Sequence, residues 1–269
     1  MEAKIYQPAE IYRDAADTLY AVSGMTLFCF AKHECDTKNI IIRNFIARSA
    51  VTLKSIFKLW DAGDYHNAWV IHRALVDRMF HLHSIATNEN FSEFDDWSFF
   101  EQYKAQNRVR SDGDFKHEAV GWVYELDDEQ KNRIKKLSNN KPNWRRPKAE
   151  AVAKDMGMEF LYKYGYDFAS MHVHPMANDG HQDFCTITKP EPPPRFPSQI
   201  SVISNTILTS SMILQDALNH SSFKWRRILW DYIDEIRGLL DTGDTSYQVS
   251  FVKLGEVFKN EALCEPNKV

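Results

Sequence analysis

The chain predicts an all-α protein, a bundle of long antiparallel helices, and three observations carry that expectation. Apolar residues recur at three- and four-residue spacing through most of the 269 residues, and no stretch alternates with the period of two that a half-buried strand needs. Glycine totals only 10, and no glycine-rich phosphate loop of the dinucleotide or P-loop kind occurs. Capping residues and breakers stand where helices of that period would start and stop.

Taken in order, Pro8 suits the first turn of a helix running to about residue 32. Asp36 or Thr37 can cap a second helix through Trp60, stopped by Asp61-Ala62-Gly63, and Asp64 can cap a third over 65–86. Asn90-Phe91-Ser92 opens a fourth, rich in Trp97, Phe99, Phe100 and Tyr103, which ends near Ser111-Asp112-Gly113. Residues 112–147 are more polar and predict a small peripheral helical insertion, with a short helix over 127–137 and a loop carrying a basic cluster around Lys141, Arg145 and Arg146. Helices over 148–156 and 158–172 follow, separated by Gly157. Residues 175–197 hold Asn178-Asp179-Gly180 and are rich in proline, so a long irregular loop is expected there. The last helices fall at 198–220, 223–240 and 247–262, and all 269 residues are expected to form one helical domain.

Composition narrows the class. With 43% hydrophobic and 13% aromatic residues the chain can bury a large core. A net charge of −4 gives no global field for nucleic acid, so any such binding needs a local basic patch. Four cysteines, Cys29, Cys35, Cys185 and Cys264, form no C-x-x-C pair, which suits free thiols in a reducing compartment. The first residues lack an apolar signal region, and the two most apolar stretches, 40–60 and 200–214, are interrupted by Arg, Lys, Asn and Ser. No membrane span and a cytoplasmic location are expected.

The third helix carries the most informative pattern. Arg73, Asp77 and His81 recur at four-residue spacing in a segment otherwise apolar almost all round, and His66 shares their stripe. At about 100° per residue the four fall within roughly 80° of one another, with Ala68, Ile71, Leu75, Met79 and Leu82 opposite. A helix this apolar is central to its domain, and polar groups carried there must be paired or must line a cavity.

A second constellation lies on the predicted 158–172 helix. On an α-helix Lys163, Asp167, Ser170 and His174 share one face, with Tyr162 and Tyr166 beside them. Ser170 and His174 are four apart and can meet if the helix persists, although Pro175 pushes His174 towards extended geometry. Both polar stripes need partners in an apolar surround, so Arg73, Asp77, Tyr166 and His174 are expected within one side-chain shell.

The run Arg73-Ala-Leu-Val-Asp77, Trp144 before a short helix, then Tyr162, Tyr166, Ser170 and His174-Pro175 resembles the bacterial domain-of-unknown-function family 5677 over about residues 40–175. The resemblance implies an arginine with an acid four residues later and a Tyr-Ser-His ladder ending in His-Pro. It implies no particular reaction.

Four functional readings follow. The first is a central polar pocket for an anionic ligand such as a phosphate or nucleotide. There Arg73 would hold phosphate, Asp77 and His174 would complete a catalytic set for phosphodiester or nucleotide cleavage, and His66, His81, Tyr162, Tyr166 and Ser170 would bind the ligand. The second rests on Arg78 and His83, which match the R-x4-H spacing of the all-helical HEPN ribonucleases but stand about 140° apart on an ideal helix. A third uses His172, His174 and His181, with Asp183, as zinc or iron ligands. The fourth is a non-catalytic sensor or interaction module whose Arg, Asp, Tyr and His network is structural, placed in bacterial stress or phage defence by analogy with other small helical families. RNA, a nucleotide, a second copy or another protein is the expected partner, and the cofactor is left open.

Overall fold

The computed structural model describes residues 6–31, 36–114, 126–177, 180–190 and 199–263, and among these no strand occurs. The all-α class read from the apolar periodicity is the class observed. Helices α1 (Ala9–Ala31), α2 (Thr37–Asp61), α3 (Tyr65–Thr87), α4 (Phe91–Ser111), α5 (Asp128–Asn139) and α6 (Ala149–Asp155) begin and end close to the positions their caps and breakers mark. The Asp36 carboxylate accepts the Asn39 N–H at 2.8 Å to start α2. Gly63, at φ +77°, turns the chain out of α2, and the Asp64 carboxylate accepts the Asn67 N–H at 3.1 Å as α3 begins.

The described residues divide into two compact units, 1–84 with 147–269, and 85–146. In the larger unit α10 (Ile200–His220) packs against α1, α2 and α11 (Arg226–Thr242). Its Val202, Ile203, Ile207 and Leu218 are fully buried, and the hydroxyls of Thr206, Thr209 and Ser211 return to their own helix, as when Thr206 Oγ1 donates to the Val202 carbonyl at 2.7 Å. The C-terminal α12 (Tyr247–Leu263) packs on α11 and α1. In the smaller unit α5 starts with a capping box between Asp127 and Gln130 and packs on α4. Arg133 of α5 reaches Asp95 at 2.6 Å and Asp96 at 2.7 Å on α4.

Two elements differ from the sequence expectation. The single helix over 158–172 is instead α7 (Glu159–Leu161), a π-helix (Tyr162–Asp167) and α8 (Phe168–Ser170), closed by a turn at 171–173. The wide turn shows in the Phe168 N–H, which reaches back five residues to the Lys163 carbonyl. Gly165 faces α3 inside this turn, where a Cβ would come 2.9 Å from Leu161 Cδ1 and 3.6 Å from His72 Nε2. The 100° projection of residues 162–167 therefore does not hold. The second correction is α9 (His181–Thr188), which occupies part of the segment expected to be irregular. No proline lies between 181 and 188, so nothing there forbids a helix; Gly180 at φ +78° precedes it, and Lys189 at φ +47° with Pro190 ends it. Asn178, Asp179 and residues 191–198, which hold most of the prolines, lie outside the described residues.

One ionic contact joins three helices of the larger unit. His83 of α3 stands between Asp155 of α6, 3.5 Å from its Nε2, and Asp216 of α10, 3.7 Å from its Nδ1; His220 Nε2 lies 3.6 Å from the other Asp216 oxygen. The Asp216 carboxylate beside it raises the His83 pKa above its ordinary value, against the lowering effect of burial. A raised folded pKa stabilises the fold at pH values below the unfolded value of about 6.5, and that contribution is lost as pH rises through the folded value. Urea denaturation of the wild type and His83→Gln between pH 5 and 9 should therefore show a stability difference that is largest at low pH and declines on the alkaline side. A difference constant with pH would contradict the clamp.

Candidate functional site

Arg73 is the hub of the polar cluster. Its Nη1 donates to Asp77 Oδ2 at 2.8 Å, its Nε to Ser170 Oγ at 2.9 Å and its Nη2 to the Tyr166 hydroxyl at 2.7 Å. Ser170 in turn donates to the Tyr166 carbonyl at 2.8 Å, so the hydroxyl is polarised from both sides. The guanidinium carbon lies 4.4 Å from the centre of the Tyr166 ring, which Tyr162 stacks at 5.5 Å and Phe80 flanks at 6.1 Å. Burial, and next the Asp77 carboxylate, raise the Tyr166 pKa, so the phenol keeps its proton at neutral pH. Side-chain exposures of 27% for Arg73 and 32% for Asp77 make this a half-buried network rather than a sealed one.

The structure thus brings together Arg73, Asp77, Tyr166 and Ser170, with Tyr162 stacked on the group. It does not add His174. The helix stops at Ser170, and His174 lies in a bend before Pro175, exposed, with no hydrogen bond to these four among the described residues. His81 is half-buried farther along α3 and takes no part in the Arg73 contacts. Arg78 is half-buried, its pKa lowered by burial and then by Arg48, while His83 is held in the clamp with Asp155 and Asp216.

Sequence reasoning missed His72, which is completely buried on the apolar face of α3. Thr206 Oγ1 already donates to Val202, so at 3.1 Å it accepts from His72 Nδ1, and burial pushes the imidazole pKa down to about 3. This histidine is neutral at any ordinary pH. Its Nε2 has no hydrogen-bond partner among the described residues and faces Gly165 of the π-helix. The available signal was a polar residue among Ala68, Leu75 and Met79, all fully buried.

A separate cavity of about 600 Å³ lies where the starts of α3 and α9 meet the turn after α8. His66, His172 and His181 line it together with Asp64, Asp183 and Gln199. His66 Nδ1 and His172 Nδ1 share a hydrogen bond at 3.3 Å, one ring donating to the other, with the rings at 77°. Trp69 stacks on His172 at 6.2 Å and 8°, and Phe168 meets its edge at 5.5 Å. Gln199 is fixed by the Trp69 indole N–H at 2.5 Å, and Gln182 of α9 donates to the Gly63 carbonyl at 3.3 Å. Among the described residues no Lys or Arg lines the wall, and Asp64 and Asp183 offset the positive ends of the two helices. Among the described residues no three His, Cys, Asp or Glu side chains are grouped to hold a metal ion by themselves. Two imidazoles could do so only with open coordination positions left over. His66, expected beside Arg73, belongs to this cavity instead, and His181 and Asp183 of α9 line its wall.

The Arg73 contacts tie α3 to the π-helix, so their loss should cost stability. Three charge-assisted hydrogen bonds in a half-exposed setting make about 2–3 kcal/mol the expected loss for Arg73→Ala, with Arg73→Lys recovering only part because one ammonium cannot span the three directions. Equilibrium denaturation measures this, and a loss below about 0.5 kcal/mol would contradict a bracing role.

No curated protein and no solved structure matches the chain. The family model of a family of unknown function, DUF5677, matches residues 39–185, more than half of the 269 residues, from the first turn of α2 into α9. That interval contains the whole Arg73 network and the three histidines of the cavity, and the chain belongs to the DUF5677 family.

Proposed function

We propose that the chain binds a divalent metal ion through His66 and His172, and that the ion holds a phosphate-bearing ligand, a free phosphate or a nucleotide, in the adjoining cavity. The observation that carries this reading is the 3.3 Å separation of the two Nδ1 atoms at the wall of a 600 Å³ cavity. Two nitrogens, each about 2.0–2.1 Å from a tetrahedral ion, stand about 3.3–3.4 Å apart. Imidazole favours zinc, nickel or copper over magnesium or calcium. The packing of Trp69 and Phe168 on His172 limits the rotation of one ligand ring, the role that outer groups play around metal-binding histidines.

Charge explains why the ion and the anion belong together in this reading. A wall whose described residues include two carboxylates and no Lys or Arg does not favour a bare phosphate, whereas a divalent ion supplies the positive charge and two imidazoles leave positions for phosphate oxygens. Arg73 is then a brace rather than a phosphate clamp, because three of its N–H directions are taken by protein groups. That agrees with the reading of the Arg, Asp and Tyr network as structural. Whether the bound ligand is also cleaved is read in the same experiment as product release.

The test is titration of metal-free protein with Zn²⁺ or Ni²⁺ by calorimetry and with Co²⁺ by visible absorption, followed by phosphate, AMP and ATP. About one ion per chain should bind, and His66→Ala or His172→Ala should weaken it by at least about tenfold. Nucleotide should bind the loaded protein and be lost on chelation. Unchanged metal stoichiometry in the double variant, or phosphate binding indifferent to chelator, would overturn the reading.

A further inference from the structure

Between residues 131 and 146 the sequence holds seven basic residues and no Asp or Glu, in a chain whose net charge is −4. Two of the seven are spoken for. Lys131 meets Asp128 at 3.0 Å, and Arg133 is held by Asp95 and Asp96. The remaining five, Lys135, Lys136, Lys141, Arg145 and Arg146, are exposed and make no ion pair among the described residues.

The segment that carries them is built to hold its shape. Ile134 and Leu137 bury the inner face of α5, which sets Lys135 and Lys136 on the outer side. Beyond α5 the chain has no regular structure, yet Trp144 anchors it: the indole is 8% exposed and packs at 4.9 Å from Phe94 and 4.5 Å from Trp97 on α4. Arg145 and Arg146 leave directly from that anchor, with the Arg146 guanidinium 5.8 Å from the centre of the Trp97 ring. Fixed cations lose less freedom on binding than cations on a loose loop.

The chemistry of the surface selects the kind of partner. Among the described residues of 85–146 no large hydrophobic side chain is exposed. Lasting attachment to a membrane needs apolar side chains to enter the interface, and a tight protein interface needs aromatic or aliphatic anchors. Neither is offered. A phosphodiester backbone needs only lysine and arginine, helped by neutral donors such as the exposed Asn139, Asn140 and Asn143 amides between them. We infer that this face of the 85–146 unit binds nucleic acid through its backbone, without sequence preference. The inference is independent of the metal and phosphate reading of the cavity, which lies in the other unit.

The test uses the full chain and fluorescence anisotropy of labelled 20-mers, oligo-dT, a mixed-sequence strand and a duplex, at 50 and 200 mM salt. Binding should be similar for the two single strands, and its logarithm should fall with the logarithm of salt with a slope of about −2 to −4, as three to five phosphate contacts require. The triple variant Lys141→Glu, Arg145→Glu, Arg146→Glu should bind at least about tenfold more weakly with an unchanged melting temperature, while Lys253→Glu with Lys259→Glu on α12 should bind as the wild type does. Absence of binding at 50 mM salt, equal binding by the triple variant, or attachment to phosphatidylserine vesicles without attachment to oligonucleotides would each overturn it.

Discussion

A guanidinium carried on an apolar helix must be met by partners, and Arg73 meets three of them on one side of α3. Asp77 comes from its own helix at the four-residue spacing, and the other two come from the segment that begins the π-helix and ends α8. An unbroken α-helix would set residues 162 to 170 at a different rotation about the axis. The one wide turn lets the Tyr166 ring lie against the guanidinium while the Ser170 hydroxyl reaches its Nε. Gly165 leaves room for the Leu161 side chain inside the wide turn, because a Cβ there would come 2.9 Å from Leu161 Cδ1, while it would only touch the buried His72 at 3.6 Å. The charge of Arg73, the missing Cβ of Gly165 and the wide turn are therefore parts of one solution.

What could be read in the sequence and what could not divides along local and tertiary causes. The helices of the larger unit were legible because caps, breakers and apolar spacing are local signals, as at Asp36 and at Gly63 followed by Asp64. Arg73, Asp77 and Tyr166 were legible because polar residues on apolar helices need one another, whereas Ser170 was expected to meet His174 and meets Arg73 instead. His174 was misplaced because the spacing argument assumed a helix that stops at Ser170. The pairing of His66 with His172 was out of reach, since it depends on where the turn at 171–173 directs the chain. His72 escaped for another reason: a neutral histidine on an apolar face looks like part of the core, and its one partner, Thr206, lies far away in sequence.

The charge distribution makes the two units chemically unlike. Among the described residues the cavity wall of the larger unit carries carboxylates and imidazoles without Lys or Arg, while the segment 131–146 of the smaller one carries five exposed cations and holds no Asp or Glu. A net charge of −4 hides this contrast, because whole-chain charge averages over faces that a ligand meets separately. Local sign, not the total, decides what each unit attracts.

The brace and the cavity are coupled through α3. Its one helix carries His66, Trp69 and Arg73, so the rise of about 1.5 Å per residue fixes the separation of a cavity-lining imidazole, a stacking ring and a bracing charge along one axis. The segment from Tyr166 to His172 lies against the same axis and is held at both ends, by Arg73 at Tyr166 and by Trp69 at His172. Sliding that segment along α3 would break the guanidinium contacts and the ring stacking together. The 3.3 Å spacing of the two imidazole nitrogens is therefore not a free parameter of a surface turn. It is tied to a charged residue about two helical turns away, so the Arg73 contacts outside the cavity help to hold the imidazoles of its wall in place.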